Sequence, residues 1–211
     1  MTRAARVSPD QILAAAADEF AERGFAGARV DRIARRAHVN KAMLYYHFKS
    51  KQHLYRTLLR RSFTLAGGRL QAIAAGNRPP ADKVQDAIVA LGSLIREHAQ
   101  LPSMMLREVA DGGAHLDRET LAALASVPRA FAEIVTEGVA AGAFRDLDPL
   151  AAYFTIIAPV LFFHASAPIR RQLTAMHLMP HFAASDDFVR HVQDSVRLAF
   201  APDRSRKRTT R

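Results

Sequence analysis

Basic, phenolic and imidazole side chains concentrate in one early stretch of the chain. Between Gly24 and Arg61 there are ten Lys/Arg residues and a single acid, Asp31. Tyr45, Tyr46 and His47 lie within this stretch and can donate to phosphate or touch base edges. The chemistry that these residue types favour is binding of a nucleic acid.

The net charge of +10 is distributed in the same way. Residues 1–61 carry 13 Lys/Arg against 5 Asp/Glu, whereas residues 62–202 carry 12 against 14. The last nine residues carry 5 against 1. This asymmetry is typical of a polyanion-binding head followed by a slightly acidic body, since a generally basic surface would spread the excess evenly.

Other kinds of chemistry are poorly supported. The chain has no cysteine, which excludes disulfides and thiolate sites and fits a cytoplasmic protein. It shows no nucleophile elbow, phosphate-cradling glycine loop or zinc-binding helix. His177 and His181 are four residues apart, but Pro180 interrupts the helical face between them. We therefore expect no enzymatic activity, no metal site and no cofactor.

Helical spacing of apolar residues predicts the elements that must position the basic stretch. Short helices are predicted over residues 30–37 and 41–47, joined by the turn at residues 38–40. This is the spacing of a helix-turn-helix, whose second helix can enter the major groove. Helical periods continue to residue 200, so we predict an all-α chain of about nine or ten helices.

Two later segments are candidates for a subunit interface. Residues 149–169 carry no charge over 21 positions, which is long enough to cross a bilayer. A buried helix is favoured instead by Pro159, Pro168, His164 and the lack of a second span. The last predicted helix, over residues 186–200, is amphipathic.

The early stretch also resembles a known family. The matching runs are Gly24-Phe25, Val30 to Ala34, Val39 to Phe48, and Lys49-Ser50-Lys51 with Leu54. Over about residues 8–60 they resemble the N-terminal domain of TetR-family repressors. The resemblance implies a homodimer that reads a pseudo-palindromic operator, and a C-terminal helical domain in which a small-molecule effector weakens DNA binding.

The resemblance also assigns roles to single residues. Lys41, Ala42 and Met43 match positions that meet base edges, and Tyr45 and His47 match contacts to the DNA backbone. Lys51 matches a phosphate-contacting lysine, and Leu44 and Phe48 match core positions.

Three positions depart from the family pattern. His38 stands where the family has glycine, so either His38 adopts a left-handed backbone or the turn differs. Asn40 replaces the Ser or Thr that caps the recognition helix. The family favours Thr or Ser just before Val30, with a hydroxyl that contacts phosphate, and this chain has Ala28-Arg29 there. Arg29 is expected to replace the hydroxyl as a longer, cationic phosphate contact.

We therefore expect a three-helix DNA-binding domain at residues 1–62, a larger ligand-binding and dimerisation domain at 63–203, and a disordered basic tail at 204–211. The helices near 150–165 and 186–200 are expected to form a four-helix bundle in the dimer. An apolar effector could be lined by the soft and aromatic side chains of this domain, each of which could equally be ordinary core: Met104, Met105, Phe131, Phe154, Phe162, Phe163 and Met176.

The function that these features favour is a transcription regulator, most simply a repressor released by its ligand. A non-specific architectural DNA-binding protein is the alternative. The basic arm at residues 2–6 either reaches a minor groove or is a solvated terminus.

Overall fold

The computed structural model describes residues 8–180 and 184–202. The predictions for the N-terminal arm, for His181 and for the basic tail concern residues outside these ranges. All regular secondary structure in the described residues is helical, as predicted. The helices are α1 (Pro9–Gly27), α2 (Val30–Arg36), α3 (Lys41–Phe48), α4 (Lys51–Ala74), α5 (Pro80–Glu97), α6 (Leu101–Ala110), α7 (Arg118–Ala140), α8 (Pro149–Ala165), α9 (Ala167–Ala175) and α10 (Ser185–Phe200).

The chain folds as two compact units. The first contains residues up to 62 together with residues 100–122, and the second contains residues 63–99 and those from 123 onward. Helix α6 and the turn after it therefore pack with the N-terminal helices, although they lie far from them in sequence.

The first unit is organised around the apolar face of α1. Ile12, Ala16 and Phe20 repeat at helical spacing on this face and are fully buried. Ser8 caps the start of α1 by accepting a hydrogen bond from the Gln11 amide. Gly24 has a left-handed backbone (φ 68°), and a short last turn follows it before α1 ends at Gly27.

The second unit is built from α5, α7, α8 and α10 with the C-terminal half of α4. Its core contains large aliphatic and aromatic side chains from each of these helices. Helix α7 contains Pro128 within its length. Gly67 lies where a Cβ atom would collide with the side chain of Ser126 in α7, so α4 and α7 approach closely at this glycine.

Helix α8 contains most of the uncharged segment of the sequence, which continues to residue 169. It buries Ala152, Tyr153, Ile156 and Val160 within its own unit. No helix among the described residues is by itself long and apolar enough to cross a bilayer. Helices α8 and α9 meet the criteria of length and composition only as a pair, bent by 50°.

Candidate nucleic-acid interface

The turn between α2 and α3 has the geometry that a helix-turn-helix needs. His38 adopts a left-handed backbone (φ 53°), the first of the two alternatives that the sequence left open. The Val39 amide donates to the Ala34 carbonyl at 2.9 Å, and the His38 amide donates to the Arg35 carbonyl at 3.1 Å. These two bonds form a Schellman motif, which ends α2 and directs the chain into α3.

Helix α3 is capped by Asn40 and has one buried and one exposed face. The Asn40 side chain accepts a hydrogen bond of 2.7 Å from the Met43 amide, so asparagine performs the capping role predicted for it. Leu44 and Phe48 are buried, as predicted for core positions.

The outer face of α3 is left to solvent. Tyr46 is 81% exposed, and the other outward residues are also exposed. They are Lys41, Ala42, Met43 and Tyr45. His47 is half-buried at the side of the helix.

Lys41 forms an ion pair with the acid of the basic stretch. Its ammonium lies 2.8 Å from Asp31 Oδ1, and both side chains are more than half exposed. The hydrogen bond and the charge of each partner raise the pKa of Lys41 and lower the pKa of Asp31. In this state the Lys41 ammonium is directed to α2.

A buried carboxylate that sequence reasoning missed joins α1 to α2. Glu19 is 1% exposed, and its Oε1 accepts a hydrogen bond of 3.2 Å from the Arg29 amide. The Arg32 guanidinium lies 3.5 Å from the same oxygen. The Arg29 side chain itself is exposed at the start of α2, where it was predicted to meet phosphate.

The Lys51 ammonium binds backbone carbonyls near the end of α1. It donates to the carbonyl oxygens of Phe25, Ala28 and Ala26 at 2.8, 3.2 and 3.4 Å. It also lies 4.6 Å from the centre of the Phe25 ring. Local sequence does not predict these contacts because the carbonyls lie 23 to 26 residues away.

A second buried carboxylate, that of Glu108, joins α6 to α4 within the first unit. Glu108 is 2% exposed and accepts hydrogen bonds of 2.9 Å from the Tyr55 hydroxyl in α4 and from the His115 amide. Burial and the Glu108 hydrogen bond hold the pKa of Tyr55 well above its usual range. The Phe25 ring lies 4.2 Å from that of His115, so this cluster also contacts the end of α1.

The residues predicted to line an effector site are spread over both units. Met104 and Met105 belong to α6 in the first unit, and the other five lie in the second. Met104 and Phe131 are fully buried core residues, whereas Phe154, Phe162 and Met176 are exposed. The Phe163 ring stacks on Phe188 at 4.0 Å. A surface pocket of about 450 Å³ around Leu178 contains none of the seven.

Comparison with known proteins identifies the family. Residues 12–58 match the family model described as bacterial regulatory proteins, tetR family. Residues 80–196 match a model described as a tetracyclin repressor-like C-terminal domain. The chain belongs to the TetR family. The exposed α3 is therefore the recognition helix of a TetR-family helix-turn-helix, and the chain is a DNA-binding transcription regulator.

Individual relatives of this TetR-family chain are regulators as well. It is 28% identical over 162 residues to the HTH-type transcriptional repressor NicS of Pseudomonas putida, covering 74% of this chain and 75% of the relative. It is 31% identical over 142 residues to the repressor KstR2 of Mycolicibacterium smegmatis, covering 66% and 69%.

The same fold occurs in solved structures. FadR of Bacillus subtilis, crystallised in complex with stearoyl-CoA, matches with a TM-score of 0.73 at 19% identity, over 92% of this chain and all of that one. A TetR/AcrR-family regulator of Thermobifida fusca matches with a TM-score of 0.62 at 22% identity, over 89% and 95%.

Proposed function

We propose that this regulator is a homodimeric repressor that binds a pseudo-palindromic operator through α3 and is released from it by a small, mostly apolar ligand. The observation that carries the proposal is the outer face of α3. This face presents lysine, methionine and tyrosine side chains to solvent, while Leu44 and Phe48 fix the opposite face in the core.

The docking that we propose places the start of α3 against base edges in the major groove. Lys41 can donate to guanine, and Ala42 and Met43 offer apolar contacts to thymine methyl groups. Tyr45, Tyr46 and His47 follow along the helix and donate to backbone phosphates. Arg29, exposed at the start of α2, adds a cation to a neighbouring phosphate.

The dimer that we propose pairs α8 and α10 with their symmetry mates. Leu150, Phe154 and Phe162 recur along one side of α8 and are more than half exposed, and Leu198 of α10 is 80% exposed. Exposed apolar side chains at helical spacing are typical of a surface that another helix covers. A two-fold axis through such a surface gives a four-helix bundle.

The effector site that we propose lies in the second unit. The interior of this unit is mostly apolar, and Gln85 Oε1 is buried without a hydrogen-bond partner among the described residues. A buried acceptor of this kind suits a ligand that has an apolar body and one donor. The complex of the Bacillus subtilis FadR with stearoyl-CoA suggests acyl compounds as the first ligands to try.

The proposal can be tested with purified protein and fluorescent DNA. Sedimentation should give a dimer in solution, and a duplex with two inverted half-sites should bind two chains and bind more tightly than a duplex with one half-site. Stearoyl-CoA and stearic acid are then added to the complex, with coenzyme A as the control that lacks the apolar chain. A monomer that binds both duplexes equally would overturn the dimeric model.

A further inference from the structure

We infer that Lys51 is a positioning residue that caps the end of α1, and that the neighbouring Lys49 supplies the phosphate contact at this corner of the DNA-binding unit. The inference rests on the DNA docking proposed above. It moves to Lys49 the phosphate contact that the family resemblance gives to Lys51.

The Lys51 ammonium is saturated by contacts within its own unit. An ammonium group has three hydrogens to donate. Three backbone carbonyls, those of Phe25, Ala26 and Ala28, lie within 3.4 Å of Nζ. The Phe25 ring adds a cation–π contact at 4.6 Å. A phosphate could bind this ammonium only in exchange for these contacts.

The carbonyls that Lys51 binds have a physical need for a donor. The last carbonyls of a helix have no amide partner within the helix, and the helix dipole places partial negative charge at this end. Gly24 has a left-handed, non-helical backbone just before them, which kinks α1 at this point. A cation from the start of α4 therefore stabilises the end of α1 where the helix cannot stabilise itself.

This cap bears on DNA binding through the path of the chain. The carbonyl of Ala28 directly precedes Arg29, the N-cap residue of α2. The Arg29 amide is fixed in turn by buried Glu19. Because α2 leads into α3 through the turn at His38, the position of the recognition helix depends on where α1 ends.

Lys49 has the opposite environment. It is the C-cap residue of α3, directly after Phe48, and its side chain is exposed. Its ammonium has no hydrogen-bond or ion-pair partner among the residues that the structure describes. Its backbone is left-handed (φ 55°) and is held by a bond of 2.9 Å from its amide to the Tyr45 carbonyl. Such a lysine can bind phosphate without giving up any contact.

The salt dependence of DNA binding separates the two roles. Each phosphate contact contributes about −0.9 to the slope of log K against log salt. On a short duplex of arbitrary sequence, Lys49→Met should flatten the slope by about 0.9 and weaken binding about fivefold at ~0.15 M salt. Lys51→Met should leave the slope unchanged.

Thermal unfolding without DNA gives a second readout that is independent of the proposed docking. Lys51→Met should lower Tm by several degrees, whereas Lys49→Met should leave Tm unchanged. If Lys51→Met does not fold, Lys51→Arg replaces it. A planar guanidinium cannot point its donors at three converging carbonyls, so Lys51→Arg should also lower Tm at an unchanged slope.

Three outcomes would overturn the inference. These are a flattened slope for Lys51→Met, a normal Tm for both Lys51 variants, and an unchanged slope for Lys49→Met. Failure of the proposed function looks different, since it would appear in the wild-type protein itself, which would then bind no duplex, or would bind duplexes with one and with two half-sites equally. The Tm comparison would still test the cap in that case.

Discussion

The ammonium of Lys41 lies 2.8 Å from the carboxylate of Asp31, so the first residue of α3 is paired with the one acid between Gly24 and Arg61. Both side chains are exposed, and such a pair contributes little to stability. The Lys41–Asp31 pair matters instead for DNA binding. A base edge or a phosphate must compete with Asp31 for Lys41, and the carboxylate also repels the DNA.

We expect Asp31→Asn to strengthen DNA binding, by roughly three- to tenfold at low salt, and to steepen the salt dependence. The change frees the Lys41 ammonium and removes a negative charge from the DNA-binding surface. Fluorescence anisotropy with a duplex of arbitrary sequence, measured over a range of salt concentrations, gives both quantities.

The control for Asp31→Asn is Asp82→Asn. Asp82 belongs to the first turn of α5 in the second unit and pairs with Arg78 at 3.5 Å, so this change removes the same charge from the unit that does not contain α3. Equal strengthening by both variants would mean that only the net charge matters, and the role given to the Lys41 pair would then be wrong.

The adjacent glycines of α4 should respond in opposite ways to alanine. At Gly67 a Cβ atom would collide with Ser126, and we expect Gly67→Ala to destabilise the protein by about 1–3 kcal/mol. At Gly68 a Cβ atom meets nothing within 4 Å, so Gly68→Ala should stabilise it by about 1 kcal/mol through helix propensity. Urea unfolding measures both free energies.

Ser126→Gly provides the rescue for the first glycine variant. Removal of the side chain that collides with the new Cβ atom should restore part of the stability lost in Gly67→Ala. If the double variant is no more stable than the two single changes predict together, close packing is not the reason for glycine at this position.

The proposed dimer predicts that a charge on α8 separates the subunits. Phe154 is 57% exposed, and Phe154→Glu would bury a carboxylate in the bundle, so we expect monomers in sedimentation and loss of binding to a two-half-site duplex. Val109→Glu is the control, because Val109 of α6 is 68% exposed but lies outside the proposed interface. Dimers of both variants would place the interface elsewhere.

We expect Tyr153 to lower the free energy of unfolding at high pH. Burial raises the pKa of Tyr153 from 10.0 to about 12. Above about pH 10 the unfolded chain therefore loses this proton while the folded protein keeps it, and the free energy of unfolding falls by up to about 1.4 kcal/mol per pH unit. Below that pH Tyr153 is protonated in both the folded and the unfolded state, so it causes no pH dependence of the free energy of unfolding.

Tyr153→Phe isolates this effect. The stability difference between wild type and variant should be constant up to about pH 9 and should shift by about 1 kcal/mol in favour of the variant between about pH 10 and 11. Urea unfolding at each pH measures it. A difference that stays constant through pH 11 would show that Tyr153 ionises equally in both states.

Local sequence predicted the parts of the interface that local chemistry determines. The left-handed backbone of His38 and the cap by Asn40 each depend on residues no more than five positions away. The burial of Leu44 and Phe48 follows from helical spacing together with the family pattern.

Contacts between distant segments could not be predicted in this way. Lys51 binds carbonyls at the end of α1, and Glu108 joins Tyr55 across 53 positions, and neither pairing leaves a periodic signal. The prediction of the effector residues rests on side-chain type alone. Side-chain type does not distinguish Phe131, a fully buried core residue, from Phe162, which is exposed on α8.

The most direct test of the central claim is selection of bound DNA from a random pool with the purified protein. We predict recovery of an inverted repeat whose half-sites lie about one helical turn apart, because a two-fold dimer places its two α3 helices in successive major grooves. Recovery of no consensus, with binding that is lost steeply as salt rises, would contradict a sequence-specific repressor and would favour a non-specific DNA-binding protein.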